Sequence, residues 1–153
     1  MLLSGEYEPS PIAWVREQVE TYERTGGREA NTLRDTGIPI IVVTTRGRRS
    51  RKIRKFAVMR VSNEQGCYAL IASKGGAPNH PEWYWNIVAD PRALTIQDSA
   101  EVFDAVAREV EGEERKTWWE RAVATYPPYA EYQARASRTI PVLVACRREP
   151  GSL

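Results

Sequence analysis

Three short stretches carry residue types that can do chemistry. The first runs from Thr44 to Lys55, TTRGRRSRKIRK. Seven of the ten residues from Arg46 to Lys55 are basic. The whole chain has 22 Lys and Arg against 20 Asp and Glu, so outside this segment 15 basic residues face 20 acidic ones. A loop of +7 on a body of −5 repels itself unless something anionic lies against it. Gly47 and Ser50 supply turn chemistry, and consecutive backbone N–H groups there can form a nest for an anion. A solvated charge run is the plain alternative, but strand-like sequence tethers both ends and favours a shaped site. The second stretch is SKGGAPNHPEWYWNI at 73–87. Here Lys74 and the backbone N–H groups of Ser73, Gly75 and Gly76 can come close to a ligand, because glycine removes the Cβ obstacle. A glycine pair after a strand also serves as a simple turn. In the third, TYPPYAEY, Tyr126, Tyr129 and Tyr132 recur every three residues beside two prolines. Core packing explains one tyrosine; three suit a wall that is apolar in body and hydrogen-bonding at its tips.

The rest of the composition narrows the classes. One histidine, His80, and two cysteines without clustered spacing argue against a zinc site. No nucleophile elbow accompanies His80, so serine hydrolysis is disfavoured. At 153 residues the chain reads as one domain with a real core. It shows neither a signal-peptide pattern nor an apolar run long enough to span a bilayer, which points to the cytoplasm. There, Cys67 and Cys146, both in strand-like runs, read as buried reduced thiols.

The elements that must position these stretches follow from periodicity. Residues 1–10 read as a loose lead-in. Ile12, Val15, Val19 and Tyr22 predict a helix from Pro11 to about Thr25, with Ser10 as N-cap and Gly26-Gly27 ending it. Its stripe packs on a core, or lies on a membrane surface. Strands are predicted at Ile40–Thr45, about Ile53–Ser62, Cys67–Ala72, about 92–97, about 100–110 and Ile140–Cys146. Short helices fall at Pro81–Ala89, Glu111–Thr125 and from Pro128 to about Ala136. With no room for crossover helices between the early strands, pairing must be antiparallel. Six strands with few helices suggest a closed or nearly closed barrel.

Taken together, TTRGRRS at 44–50, SKGGAPNHPEWYWNI at 73–87, TYPPYAEYQ at 125–133 and RTIPVLVA at 138–145 resemble the deazaflavin-dependent nitroreductase and quinone reductase family of actinobacteria. The resemblance covers roughly residues 36–146 and leaves out the N-terminal helix. It implies a mainly β split barrel of the FMN-binding type, with about six antiparallel strands, an N-terminal helix and helices after strands. The divisions would be residues 1–35 as helix and loop, 36–147 as the deazaflavin-binding barrel, and 148–153 as a frayed tail. It also implies coenzyme F420 as hydride donor, a cofactor with a planar ring, a phosphate and an oligoglutamate tail. The phosphate would lie on Arg48, Arg49, Ser50 and Arg54, with Arg49 and Arg54 in direct contact, since a forked guanidinium suits phosphate oxygens. Ala72, Ser73, Lys74 and Gly75 would flank the ring and ribityl chain, with Trp83 nearby. Tyr126, Tyr129 and Tyr132 would be catalytic, covering the ring on the acceptor side. The acceptor would be a quinone or a nitroaromatic compound. This chain departs from the family in having Arg51 where glycine is common, Ala57 where proline is common, and Met59 where some members carry tyrosine near the substrate.

Other readings compete with this one. FMN has the phosphate but no oligoglutamate tail, so a +7 loop exceeds its needs. A nucleic-acid module would interleave aromatics with the basic run, whereas here they cluster with prolines at 83–85 and 126–132. A non-catalytic cofactor carrier needs the same grip as a reductase. The sequence is compatible with a monomer or a dimer, and with peripheral membrane contact.

Overall fold

The computed structural model describes residues 2–148. Residues 149–153, most of the expected frayed tail, lie outside the described residues. Six strands form one antiparallel sheet: β1 (Ile40–Arg46), β2 (Ile53–Met59), β3 (Cys67–Ile71), β4 (Leu94–Asp98), β5 (Glu101–Glu109) and β6 (Val142–Arg147), in the order β2-β1-β4-β5-β6-β3. The β-branched run at 40–45 is buried throughout, as expected of a central strand. The sheet curls until its two edges meet. Past the end of β2, Val61 O accepts from Ala69 N at 2.8 Å and Ser62 bridges Tyr68. The barrel is therefore joined at the end holding Met59 and Cys67. It splays at the other end, where Arg46, Ile53 and the exit of β3 lie.

Alternation sorts the core. Inward residues Ile41, Val43, Leu70, Ile96, Phe103 and Leu143 fill the barrel, and Tyr84 and Ile87 of α2 (Glu82–Ala89) plug its splayed end. Outward Ile40 and Val42 meet Val19 and Tyr22 of α1 (Ala13–Arg24). Outward Ala69, Ile71, Val142 and Val144 lie beneath α3 (Gly112–Thr125) and α4 (Pro128–Arg135). Ser10 is not the N-cap of α1. The helix starts after Ile12, and the Ser10 hydroxyl, two residues before that cap, accepts from the Ile12 amide. The N-terminal helix packs on the barrel among buried residues, with Ile12 and Trp14 left exposed.

Two further expectations fail. Residues 3–8 are not loose. Tyr7 forms a parallel bridge to Ile53; Ile53 N donates to Glu6 O at 2.7 Å and Glu8 N to Ile53 O at 2.9 Å. The segment supplies a short extra strand on the free edge of β2, and Leu3 N reaches the Thr95 hydroxyl. Nor are the cysteines separate thiols. The β3–β6 register sets Cys67 opposite Cys146 and the two are disulfide-bonded. A pairing across 79 residues depends on strand register, which spacing alone does not reveal.

Candidate functional site

At the splayed end the β1–β2 connection folds as a tight loop. Gly47 N donates to Lys52 O at 2.8 Å, Arg51 N to Gly47 O at 2.9 Å, and Lys52 N to the Ser50 hydroxyl at 3.1 Å. A Cβ on Gly47 would lie 2.7 Å from Ser50 Oγ, so a side chain there would push the Ser50 hydroxyl off the Lys52 amide. Helix α2 ties the loop down, because the Asn86 side-chain oxygen accepts from Arg48 N at 3.1 Å. Between them opens a cleft of about 530 Å³. Arg48, Arg49, Ser50, Arg54 and Trp83 all line it, together with Glu8 and Asn86. Five residues from two separate stretches thus converge. Trp83 stacks on Phe56 of β2, centroids 4.6 Å apart and planes at 11°, giving the cleft a flat aromatic wall.

The loop's charge is only partly compensated. Four cations pair with glutamates: Lys52 with Glu6 (3.0 Å), Arg54 with Glu8 (3.2 Å), Lys55 with Glu23 (2.6 Å) and Arg48 with Glu82 (3.6 Å). Exposed pairs of this kind are weak and exchangeable. Among the described residues Arg46, Arg49 and Arg51 have no carboxylate partner; Arg46 donates instead to Arg51 O and Ser4 O. Arg48 Nε is buried and makes no hydrogen bond. An unpaired buried donor is costly, and an anionic oxygen in the cleft would satisfy it. The donor set therefore fits a phosphate.

The glycine loop sits at the same end but does not line this cleft. Ala72 and Ser73 are buried at the exit of β3, and Lys74 and Gly75 are exposed. Of the amides expected to be open, Ser73 N–H is taken by Ile71 O (2.9 Å) and Gly76 N–H by Ser73 O (2.9 Å). Within the 73–77 loop the amides of Lys74 and Gly75 have no acceptor among the described residues.

The tyrosines lie on the outer face of β3 and β6, away from the cationic cleft. Pro127 and Pro128 do what their chemistry dictates: Tyr126 is extended (φ −142°, ψ 88°) and α4 begins at Pro128. Tyr126 and Tyr132 join through their hydroxyls at 3.0 Å. That bond, then burial, raises the Tyr126 pKa above the usual phenol range. Tyr129 is buried edge-on to both, and burial raises its pKa as well. Met59 packs into the same cluster. The tyrosine surface reaches the glycine loop through Gly76, where a Cβ would meet Tyr132 O at 3.0 Å and Cα at 3.2 Å.

Sequence reasoning missed Asn86, Glu8 and Arg138. Asn86 lies three residues after Trp83, so helical spacing places both on one face of α2. Arg138, inside RTIPVLVA, binds the glycine loop. Glu8 left no signal.

An antiparallel split barrel whose open end pairs a cationic cleft with a flat aromatic wall defines a cofactor-binding class of protein. Residues 14–147 match the F420H(2)-dependent quinone reductase family. The chain belongs to that family, and the match takes in α1, which the sequence resemblance had left out. It is an oxidoreductase family, with coenzyme F420 as the hydride donor. An F420H(2)-dependent quinone reductase of Mycobacterium tuberculosis (strain H37Rv) is 28% identical over 130 residues, 83% of this chain and 85% of the relative. A solved F420-H2 dependent reductase (FDR-A) is 51% identical with a TM-score of 0.66, covering 70% of this chain and 93% of its own. Another solved structure, described as a domain-swapped dimer, is 47% identical with a TM-score of 0.68, covering 89% and 99%. Among the described residues no helix is long and apolar enough to cross a membrane.

Proposed function

We propose that the chain reduces a small quinone with F420H2, and that the 530 Å³ cleft receives the cofactor's phosphate. The observation that carries this reading is the convergence of Arg48, Arg49, Ser50 and Arg54 around a buried, unpaired Arg48 Nε. When bound, the reduced deazaflavin supplies the hydride. The chain's own residues bind, orient and keep water out. Arg49 and Arg54 grip the phosphate as forked donors. Trp83, backed by Phe56, offers a flat face, while Ala72, Ser73, Lys74 and Gly75 border the path from cleft to tyrosines. Tyr126 and Tyr132, bonded to each other and partly exposed, hold the proton destined for the acceptor, and Tyr129 supplies the packed body of that wall. Nitroaromatic compounds are the alternative acceptors. A cytoplasmic location, with or without contact with a membrane surface, belongs to the same proposal.

The test is anaerobic mixing of the protein with F420H2 and menadione, followed by the absorbance of oxidised F420. Turnover in excess of enzyme is expected, with FMN binding far more weakly than F420. If the protein binds F420 but never turns over with quinones or nitroaromatics, it is a carrier. Equal, salt-insensitive affinity for F420 and FMN would overturn the assignment of the cleft. Within the tyrosine wall, Tyr126→Phe should lower turnover by about 10²–10³, as for loss of an oxyanion-type donor. Tyr129→Phe should keep cofactor affinity.

A further inference from the structure

The loop from Ser73 to Ala77 does not hold itself. Its φ values are +47° at Lys74, +64° at Gly75 and +82° at Gly76. A lysine in that left-handed region is strained. Only two internal bonds brace the tip, from Gly76 N to Ser73 O and from Ala77 N to Lys74 O. The base is closed from outside by Arg138. Its Nη2 donates to Ser73 O at 2.9 Å, its Nη1 to Ala72 O at 3.2 Å, and its Nε to Ala77 O at 3.0 Å. Nη1 also lies 2.8 Å from His80 Nδ1. One guanidinium thus grips both feet of the loop. Among the described residues it has no carboxylate partner; three carbonyls and an imidazole nitrogen satisfy it. Arg138 is itself anchored, since Gln133 Nε2 donates to Arg138 O at 2.8 Å and Gln133 Oε1 accepts from Ile140 N at 2.8 Å.

This arrangement leaves a particular remainder. The carbonyls of residues 72, 73, 74 and 77 are all engaged, as are the amides of Ser73, Gly76 and Ala77. The consecutive amides of Lys74 and Gly75 are left over, beside the Lys74 ammonium. Successive N–H groups at such a bend make a concavity that accepts an electron-rich oxygen. We infer that Arg138 is a positioning residue: by engaging the loop's carbonyls it presents the Lys74 and Gly75 amides to an oxygen acceptor, a carbonyl or anionic oxygen, on a molecule bound at the splayed end beside the cationic cleft. The identity of that molecule as F420H2 rests on the function proposed above. Lysine cannot replace the fork, because a point charge does not reach three carbonyls in a fixed geometry.

The experiment compares wild type, Arg138→Lys and Arg138→Gln in three measurements: amide hydrogen exchange across 73–77, melting temperature, and KM and kcat for F420H2 with menadione. Binding of inorganic pyrophosphate reports separately on the cationic loop. In Arg138→Gln, Gly76 and Ala77 should lose exchange protection, and the KM for F420H2 should rise by about tenfold or more, the scale of one lost charge-assisted bond. Arg138→Lys should recover the melting temperature better than it recovers KM, and pyrophosphate affinity should not change in either variant. Retained protection of Gly76 and Ala77 in Arg138→Gln would overturn the latch. Lost protection with wild-type KM and kcat would overturn its role in positioning. If wild type itself fails to oxidise F420H2, the proposed function falls, and the exchange measurement still decides whether Arg138 holds the loop.

Discussion

The two ends of the barrel carry similar amounts of polar chemistry and use it in opposite ways. At the joined end every strong group has found a partner within the chain. Arg60 donates to both Asp98 oxygens at 3.0 Å and to Glu64 at 2.7 Å. Tyr68 donates to Asp98 at 2.5 Å, and Tyr22 accepts from Ser99 N at 2.6 Å. Arg147 meets Glu101, and Cys67 is bonded to Cys146. Among the described residues the splayed end holds an orphaned Arg48 Nε, the loop arginines Arg46, Arg49 and Arg51 without carboxylates, and the open amides of Lys74 and Gly75. Perturbed ionisation is a common pointer to functional sites. Here it does not discriminate, because Arg60 and Tyr68, both pushed up, lie at the satisfied end, while Tyr126 and Tyr129, also pushed up, lie in the tyrosine wall. Incompleteness, more than perturbation, marks the site.

The comparison predicts a clean separation of effects. The largest belong to the joined end and to stability alone. Asp98→Asn leaves Arg60, 28% exposed, with Glu64 as its remaining carboxylate and weakens the Tyr68 bond, and should cost about 1.5–3 kcal/mol in urea unfolding. Reducing Cys67–Cys146 should cost roughly 2–4 kcal/mol. In both cases F420 affinity at a temperature where the protein is folded should match the untreated wild type. Weakened binding with unchanged unfolding would mean that the joined end is part of the site. Next in size is Arg54→Ala, which should weaken F420 binding by about 1.5–3 kcal/mol, less so at high salt, with little change in melting. A wild-type dissociation constant there would put the phosphate elsewhere.

How much of this was legible depends on whether the signal was local. The basic loop announced itself because seven charges in ten residues need an explanation wherever they fold. The β-branched run at 40–45 and the prolines at 127–128 fixed their own backbones, so the strand, the Tyr126 corner and the start of α4 could be read directly. What could not be read depended on distant partners. The 3–8 segment docks through backbone groups on Ile53, which no side-chain pattern encodes. The disulfide follows from β3–β6 register. Arg138 looks like any surface arginine until the carbonyls it binds, some 61 to 66 residues earlier, are known. The tyrosine spacing predicted one wall, and the structure adds that its middle member is buried.

A smaller effect tests whether the splayed end's ion pairs are placeholders. Glu8 sits on Arg54, so an incoming phosphate must displace it. Removing that competitor by Glu8→Gln should tighten F420 binding by less than about 1 kcal/mol, the range for an exposed pair, and the gain should vanish at high salt. Weaker binding in this variant would show that Glu8 organises Arg54 for the ligand and does not compete with it.

The smallest effect concerns Arg51, a non-glycine residue that adopts φ +64°. An L-residue there is strained by roughly 1–2 kcal/mol. Glycine relieves that strain but costs about 0.5–1 kcal/mol in unfolded-chain entropy. The backbone bonds survive the change, since Arg51 N still donates to Gly47 O and Arg51 O still accepts from Arg46 Nη1. Arg51→Gly should therefore stabilise the protein by about 0.5 kcal/mol, a rise of a few degrees at most in melting temperature. A residue kept at such a cost in a loop already crowded with charge is expected to act through its field. F420 affinity should then fall slightly at low salt, with a shallower salt dependence. A higher melting temperature with unchanged affinity at all salts would make Arg51 a passive replacement. A lower melting temperature would mean the loop is not strained at this position, and that the splayed end is as well satisfied there as the joined one.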